Sequence, residues 1–164
     1  MARFSHLQLI GMALIASAIV CSIGCSPQNS GGGSAQGQNQ FSSSLGVSYR
    51  AEFAGVIRVF IEGKHQYVII REEETSREIY IETDWKDRTL FQDEIDQKIL
   101  SAKTRLIFRA RARHAGQFTI HMYADNEVIL SGTDIWQTGS FSPMLIEMLN
   151  DIARELRIEY KVLF

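Results

Sequence analysis

Cysteine ends at residue 25. The 164 residues contain only Cys21 and Cys25, so the chain beyond them has no internal disulfide and no cysteine metal site. Charge of one sign is also lacking. A formal net charge of −2 gives neither the basic surface that suits nucleic acid nor an acidic, disordered composition. No apolar run comfortably spans a bilayer: the stretch Leu9–Val20, interrupted by Gly11 and Ser17, falls short of the roughly 20 residues a spanning helix needs. The mature sequence holds no nucleophile elbow, phosphate loop, paired-histidine zinc helix or calcium loop. No cofactor, metal ligand or catalytic residue is implied, and an enzymatic reading would have to rest on scattered acid-base groups.

The apolar run suits the core of a signal peptide. It follows a short, weakly basic start with Arg3 and leads into Ser22-Ile23-Gly24-Cys25. This tetrapeptide resembles the lipobox of bacterial lipoproteins, in which a small residue precedes a cysteine that is acylated and becomes the new N-terminus. Ile23 and Gly24 fit that pattern, whereas Ser22 stands where a branched apolar residue is usual. The resemblance covers the leader alone. It implies a signal peptide over 1–24, lipidation of Cys25 and attachment to a membrane of the bacterial cell envelope. Ser26, where aspartate favours inner-membrane retention, implies the outer membrane facing the periplasm in a diderm host. Each buried methylene of an acyl chain contributes about 0.8 kcal/mol, so several chains make attachment effectively permanent.

Residues 25–46 are expected to form the acylated cysteine and a flexible tether. They are rich in Ser, Gly, Gln and Asn, and such a composition buries too little surface to offset the entropy of ordering. Residues 47–164 are expected to make one globular domain of ordinary size.

Within that domain Tyr49, Ala51, Phe53, Ile57, Val59 and Ile61 alternate with Arg50, Glu52, Arg58 and Glu62, which predicts a long half-buried strand over 48–63. Shorter strands follow over 67–71 and 77–84. Thr89 and Gln92 have the spacing of a capping box, with Phe91, Ile95 and Ile99 as one stripe of a short helix.

The segment 105–124 predicts a hairpin. A three-residue loop at His114-Ala115-Gly116 sets Ala112 opposite Phe118, Ala110 opposite Ile120 and Phe108 opposite Met122, and places Gly116 at a left-handed position. A turn at Asp125-Asn126 and another strand over 127–136 are expected next. Ser142 and Pro143 then start a helix with the stripe Leu145, Met148, Leu149, Ile152 and Leu156. The fold class is therefore α+β: an antiparallel sheet of about six strands, a short middle helix and a C-terminal helix on one face.

The candidate site residues lie on the hairpin. Arg109, Arg111 and Arg113 alternate and share one face, Arg105 continues the row, and His121 falls opposite Arg109. Cross-strand pairing with Glu78, Glu82 or Asp84 is one explanation. A partner surface or an anionic lipid, glycan or other ligand is the other. His65 and His114 sit in turns and read as solvated, while Trp85 and Trp136 at element ends read equally as interface anchors or as lids over the core. The functional expectation is a non-catalytic accessory or assembly lipoprotein that binds another envelope protein. The alternative is an anion binder acting through the arginine face.

Overall fold

The structure, a computed structural model, describes residues 40–162 apart from Ala115. The signal peptide, Cys25 and the tether up to residue 39 lie outside the described residues. Among the described residues, no helix is long and apolar enough to cross a membrane.

The elements in chain order are β1 (Phe41–Tyr49), α1 (Arg50–Arg58) continued by a π-helical turn (Val59–Lys64), β2 (Ile69–Glu74), β3 (Glu78–Thr83), β4 (Lys86–Arg88), α2 (Gln92–Asp96), β5 (Ile99–Ala112), β6 (Gln117–Leu130), β7 (Gln137–Thr138) and α3 (Pro143–Val162). The spine of the molecule is the β5–β6 hairpin, two antiparallel strands of 14 residues each. β3 and then β4 line the outer edge of β5, β1 and then β7 line the outer edge of β6, and β2 adds to β3, all antiparallel. The α+β class holds, with seven strands in the sheet.

The hairpin has the expected register: Ala112 faces Phe118, Ala110 faces Ile120, Phe108 faces Met122 and Arg109 faces His121. Arg113 donates its N–H to the Gln117 carbonyl at 2.9 Å, and Gly116 has φ +77°, a conformation that only glycine adopts without strain. α3 also starts as expected, with the Ser142 hydroxyl accepting from the Leu145 N–H at 3.2 Å. Leu145, Leu149, Ile152 and Leu156 are buried and Met148 packs against them.

The expected strand over 48–63 is a helix from Arg50 onward. Phe53, Ile57 and Ile61 are four apart, so they satisfy a period of two and a period of 3.6 equally well. Phe60 and Val59 decide between the two: Phe60 is buried, while Val59, which alternation would bury, is 77% exposed. Helical winding puts Phe53, Ile57, Phe60 and Ile61 on one stripe that joins the core. α1 and α3 therefore cover the same face of the sheet, packing on Ile79, Ile81, Leu106, Phe108, Ile120 and Met122.

Other boundaries differ as well. Phe41–Gly46, assigned to the tether, belongs to β1, where Phe41 and Leu45 are buried and Gly46, at φ +109°, accommodates a bulge. There is no turn at Asp125-Asn126, because β6 runs through it and Asn126 faces Thr104. The expected strand over 127–136 is the end of β6, followed by the short β7. The expected capping box at Thr89 and Gln92 does not form; Phe91 is the N-cap and offers no side-chain acceptor, so only the reach-back half is present. Glu94, not Gln92, reaches back to accept an N–H, that of Phe91 at 3.0 Å, and Ile95 points to solvent rather than to the core.

Candidate functional site

Strand alternation sends the even-numbered residues of β5 and β6 beneath the helices and their odd-numbered neighbours to the other face. That second face carries Arg105, Arg109 and Arg111 on β5 with Asp125, His121 and Thr119 opposite them on β6, and Tyr123 opposite Ile107. β3 contributes Glu78 opposite Arg111 and Tyr80 opposite Arg109. These residues stay half-buried or exposed. Buried on this face are Ile107 and Glu82.

Three members of the predicted row are thus brought to one face, whereas Arg113 lies beyond the end of β5, and the members do different things. Arg105 donates to Glu82 at 2.6 Å and to Asp125 at 2.8 Å. Burial opposes its charge, but these carboxylates outweigh that and raise its pKa above the usual arginine value. Arg111 is 71% exposed and approaches Glu78 only to 3.8 Å, beyond hydrogen-bond range. Arg113 sits at the exposed hairpin end and forms no ion pair among the described residues. Asp84, a candidate partner, instead accepts the Trp85 N–H at 2.7 Å.

Arg109 lies between two aromatic rings, with its guanidinium 5.3 Å from the centre of Tyr80 and 5.8 Å from that of Tyr123. Its Nε is buried with no hydrogen-bond partner among the described residues. The ring of His121 packs 6.3 Å from Tyr123. Beside Arg109 a shallow cleft of about 310 Å³ is lined by Arg71, Glu73, Thr75, Glu78, Tyr80 and Arg111. Arg71 is itself held by Glu73 at 2.7 Å. Further along, Lys103 stands 5.0 Å from the ring of Trp85 and 4.2 Å from that of Trp136, and Arg105 lies 4.9 Å from Trp85. The two tryptophans therefore belong to this face, which no helix of the described residues covers, rather than to the helix-covered core.

Two polar clusters went unread in the sequence. The first is buried on the helix side: Arg88 grips Glu94, Thr104 and Asn126. It falls on segments the sequence reads as a connection, the short middle helix and a turn. The second joins the π-helical turn to α3, with Glu155 taking Lys64 at 3.0 Å and His65 at 3.2 Å. His65 is therefore not a solvated turn residue. Its ring packs 4.8 Å from Phe60, and burial lowers its pKa despite the opposing pull of Glu155. Nearby Tyr67, Lys86, Arg88 and Met148 line a second cleft of about 380 Å³, in which burial pushes the Tyr67 hydroxyl up to about 12. Among the described residues no cluster of His, Cys, Asp or Glu could hold a metal ion.

No family model matches the chain, and no curated protein matches it.

Proposed function

We propose that this chain is a membrane-anchored envelope lipoprotein, held by lipid on Cys25, that acts without catalysis by docking another envelope protein on the uncovered sheet face. In a diderm host it sits on the outer membrane facing the periplasm. The observation that carries the docking reading is the stacking of Arg109 between Tyr80 and Tyr123. Arginine, tyrosine and tryptophan are the residues that dominate binding energy at protein interfaces. Here Arg109, Tyr80 and Tyr123 are held by stacking before any partner arrives, which lowers the entropy lost on association. The charges around them are interleaved rather than of one sign, since Glu82 and Asp125 neutralise Arg105. Such a mosaic favours a partner with its own charge pattern over a simple anion.

The test is a photocrosslinking residue at Thr119, on the same face, in the full chain expressed in its native envelope. A discrete crosslinked protein that disappears with Arg109→Ala and Tyr123→Ala is the expected result. Crosslinks that persist in both variants would refute docking at this face. Cys25→Ala should abolish acylation, and a processed, acylated product from that variant would refute the anchor.

A second reading, binding of an anionic lipid, glycan or other ligand, draws on the unpartnered Nε of Arg109 and the cleft it shares with Arg71 and Arg111. It requires salt-sensitive binding; retention of an anionic glycan at high salt, or no retention at low salt, would reject it.

A further inference from the structure

The end of the β5–β6 ribbon opposite the hairpin loop gathers exposed apolar side chains from three segments. Ile99 faces Leu130 across the ribbon, and Leu100 is extruded at the bulge between Ile99 and Ser101. Ile95, from α2, is brought alongside because its carbonyl accepts the Lys98 N–H at 2.9 Å, while the Lys98 carbonyl accepts from Ser131 at 2.9 Å. Ile135 and Trp136 lie in the connection that returns to β6 as β7. Ile95, Leu100, Leu130, Ile135 and Trp136 are all exposed, with Ile135 at 75%. Beneath them is a small separate apolar cluster of Ile99, Ala102 and Val128, so the tip is supported rather than loose. Its charged neighbours are of mixed sign: Lys98, Asp96 and Asp134 adjoin it in sequence, and Lys103, paired with Glu127 at 2.8 Å, stands 4.2 Å from the Trp136 ring.

β1 fixes where the anchored end of the chain enters. Phe41 faces Ala124 and Tyr49 faces Gln117, so β1 runs away from the tip and begins at its tip-side end. Ala124 and Leu130 are both on β6, about 20 Å apart at the rise of a strand. The segment from Cys25 to Phe41, fully extended, reaches at most about 55 Å.

We infer that this tip rests on the lipid bilayer, inserting Ile135, Leu100 and Trp136 at the boundary between headgroups and acyl chains. The inference rests on the lipid-anchor reading above, which supplies the nearby membrane. An aromatic ring beside aliphatic side chains suits that boundary. The mixed charge makes contact apolar, independent of anionic lipid. One weak contact suffices, because a tether turns it into an intramolecular event at high effective concentration.

The experiment uses the full chain, produced in a bacterial envelope and purified after processing. Trp85→Phe leaves Trp136 as its sole tryptophan. Mass spectrometry reports acylation of Cys25, and an absent acyl mass overturns the anchor reading. The protein is then placed with vesicles of equal parts phosphatidylcholine and phosphatidylethanolamine carrying brominated acyl chains. Trp136 emission should fall to about half or less of its value with unbrominated lipid, and should change little between about 0.1 M and about 1 M salt. Acylated protein with unquenched Trp136 overturns the tip inference and leaves the anchor standing. The double variant Leu100→Ser, Ile135→Ser should remain acylated with an unchanged thermal midpoint, yet lose the quenching. Quenching retained in that variant refutes the assignment to these side chains. A concentration-dependent dimer that shields Trp136 from iodide without vesicles would give the tip to a second copy and also refute it.

Discussion

Arg88 and Glu94 face each other in a two-point ion pair, Nη1 to Oε2 at 2.6 Å and Nη2 to Oε1 at 2.5 Å, with side chains only 8% and 1% exposed. Arg88 also donates to the Thr104 hydroxyl at 2.9 Å and to Asn126 at 3.0 Å, and Asn126 passes its own N–H to the Ser140 carbonyl at 3.0 Å. The network fastens β4, α2 and the segment leading into α3 to the central ribbon.

Removing one side of that pair leaves a buried charge without compensation. Glu94→Ala should lower unfolding free energy by about 3 to 5 kcal/mol, read from urea denaturation. Thr104→Val, which removes one neutral partner, should cost about 1 to 3 kcal/mol. A Glu94→Ala variant as stable as the parent would mean that the pair is open to water.

The helical winding that continues α1 into the π-helical turn can be tested at two adjacent residues. Phe60→Ala should cost about 3 to 5 kcal/mol as a core cavity, whereas Val59→Ala should change stability by about 0.5 kcal/mol or less. A strand in this segment would reverse the order, so the comparison distinguishes the two windings without a structure determination.

Acid should loosen the contact between the π-helical turn and α3. The pKa of His65 lies below its ordinary 6.5, chiefly through burial, so the unfolded chain binds the proton more readily and stability rises with pH. Its contribution is complete above pH 6.5 and is lost as pH falls through the lower folded value. The Glu155 carboxyl is held below its ordinary 4.5, first by its hydrogen bond with Lys64, and therefore acts in the same direction at lower pH. Denaturation midpoints should fall as pH drops from about 7 to about 5, and His65→Gln should flatten that slope. An unchanged slope in the variant would place the titration elsewhere.

Charge reversal on the sheet face should separate stability from association. Arg111→Glu removes an exposed 3.8 Å pairing with Glu78, so it should cost about 1 kcal/mol or less and leave the thermal midpoint nearly unchanged. Placed beside Glu78, the new carboxylate should still weaken capture of an acidic partner or ligand. Loss of folding would show that Arg111 is structural.

The hairpin register, the start and stripe of α3 and the shared face of the arginines were legible in the residues, because each rests on local rules. Small residues sit opposite large ones across a loop whose length is set by Gly116, Ser142 and Pro143 mark a helix start, and strand alternation puts Arg109 and Arg111 on one side. What tertiary structure decided were the cases where two local rules agree or none applies. Phe53, Ile57 and Ile61 fit helix and strand alike, and only burial of Phe60 beneath the sheet selects the helix. Asn126 has the local chemistry of a turn residue, yet Arg88 and the Ser140 carbonyl satisfy its side chain inside a strand. Arg88 meets Glu94 six residues away, but meets Asn126 only after β4 and β6 have both joined β5. Long-range pairing has no sequence period, so which arginine is neutralised, which is stacked and which is left exposed emerges only once the strands are assembled.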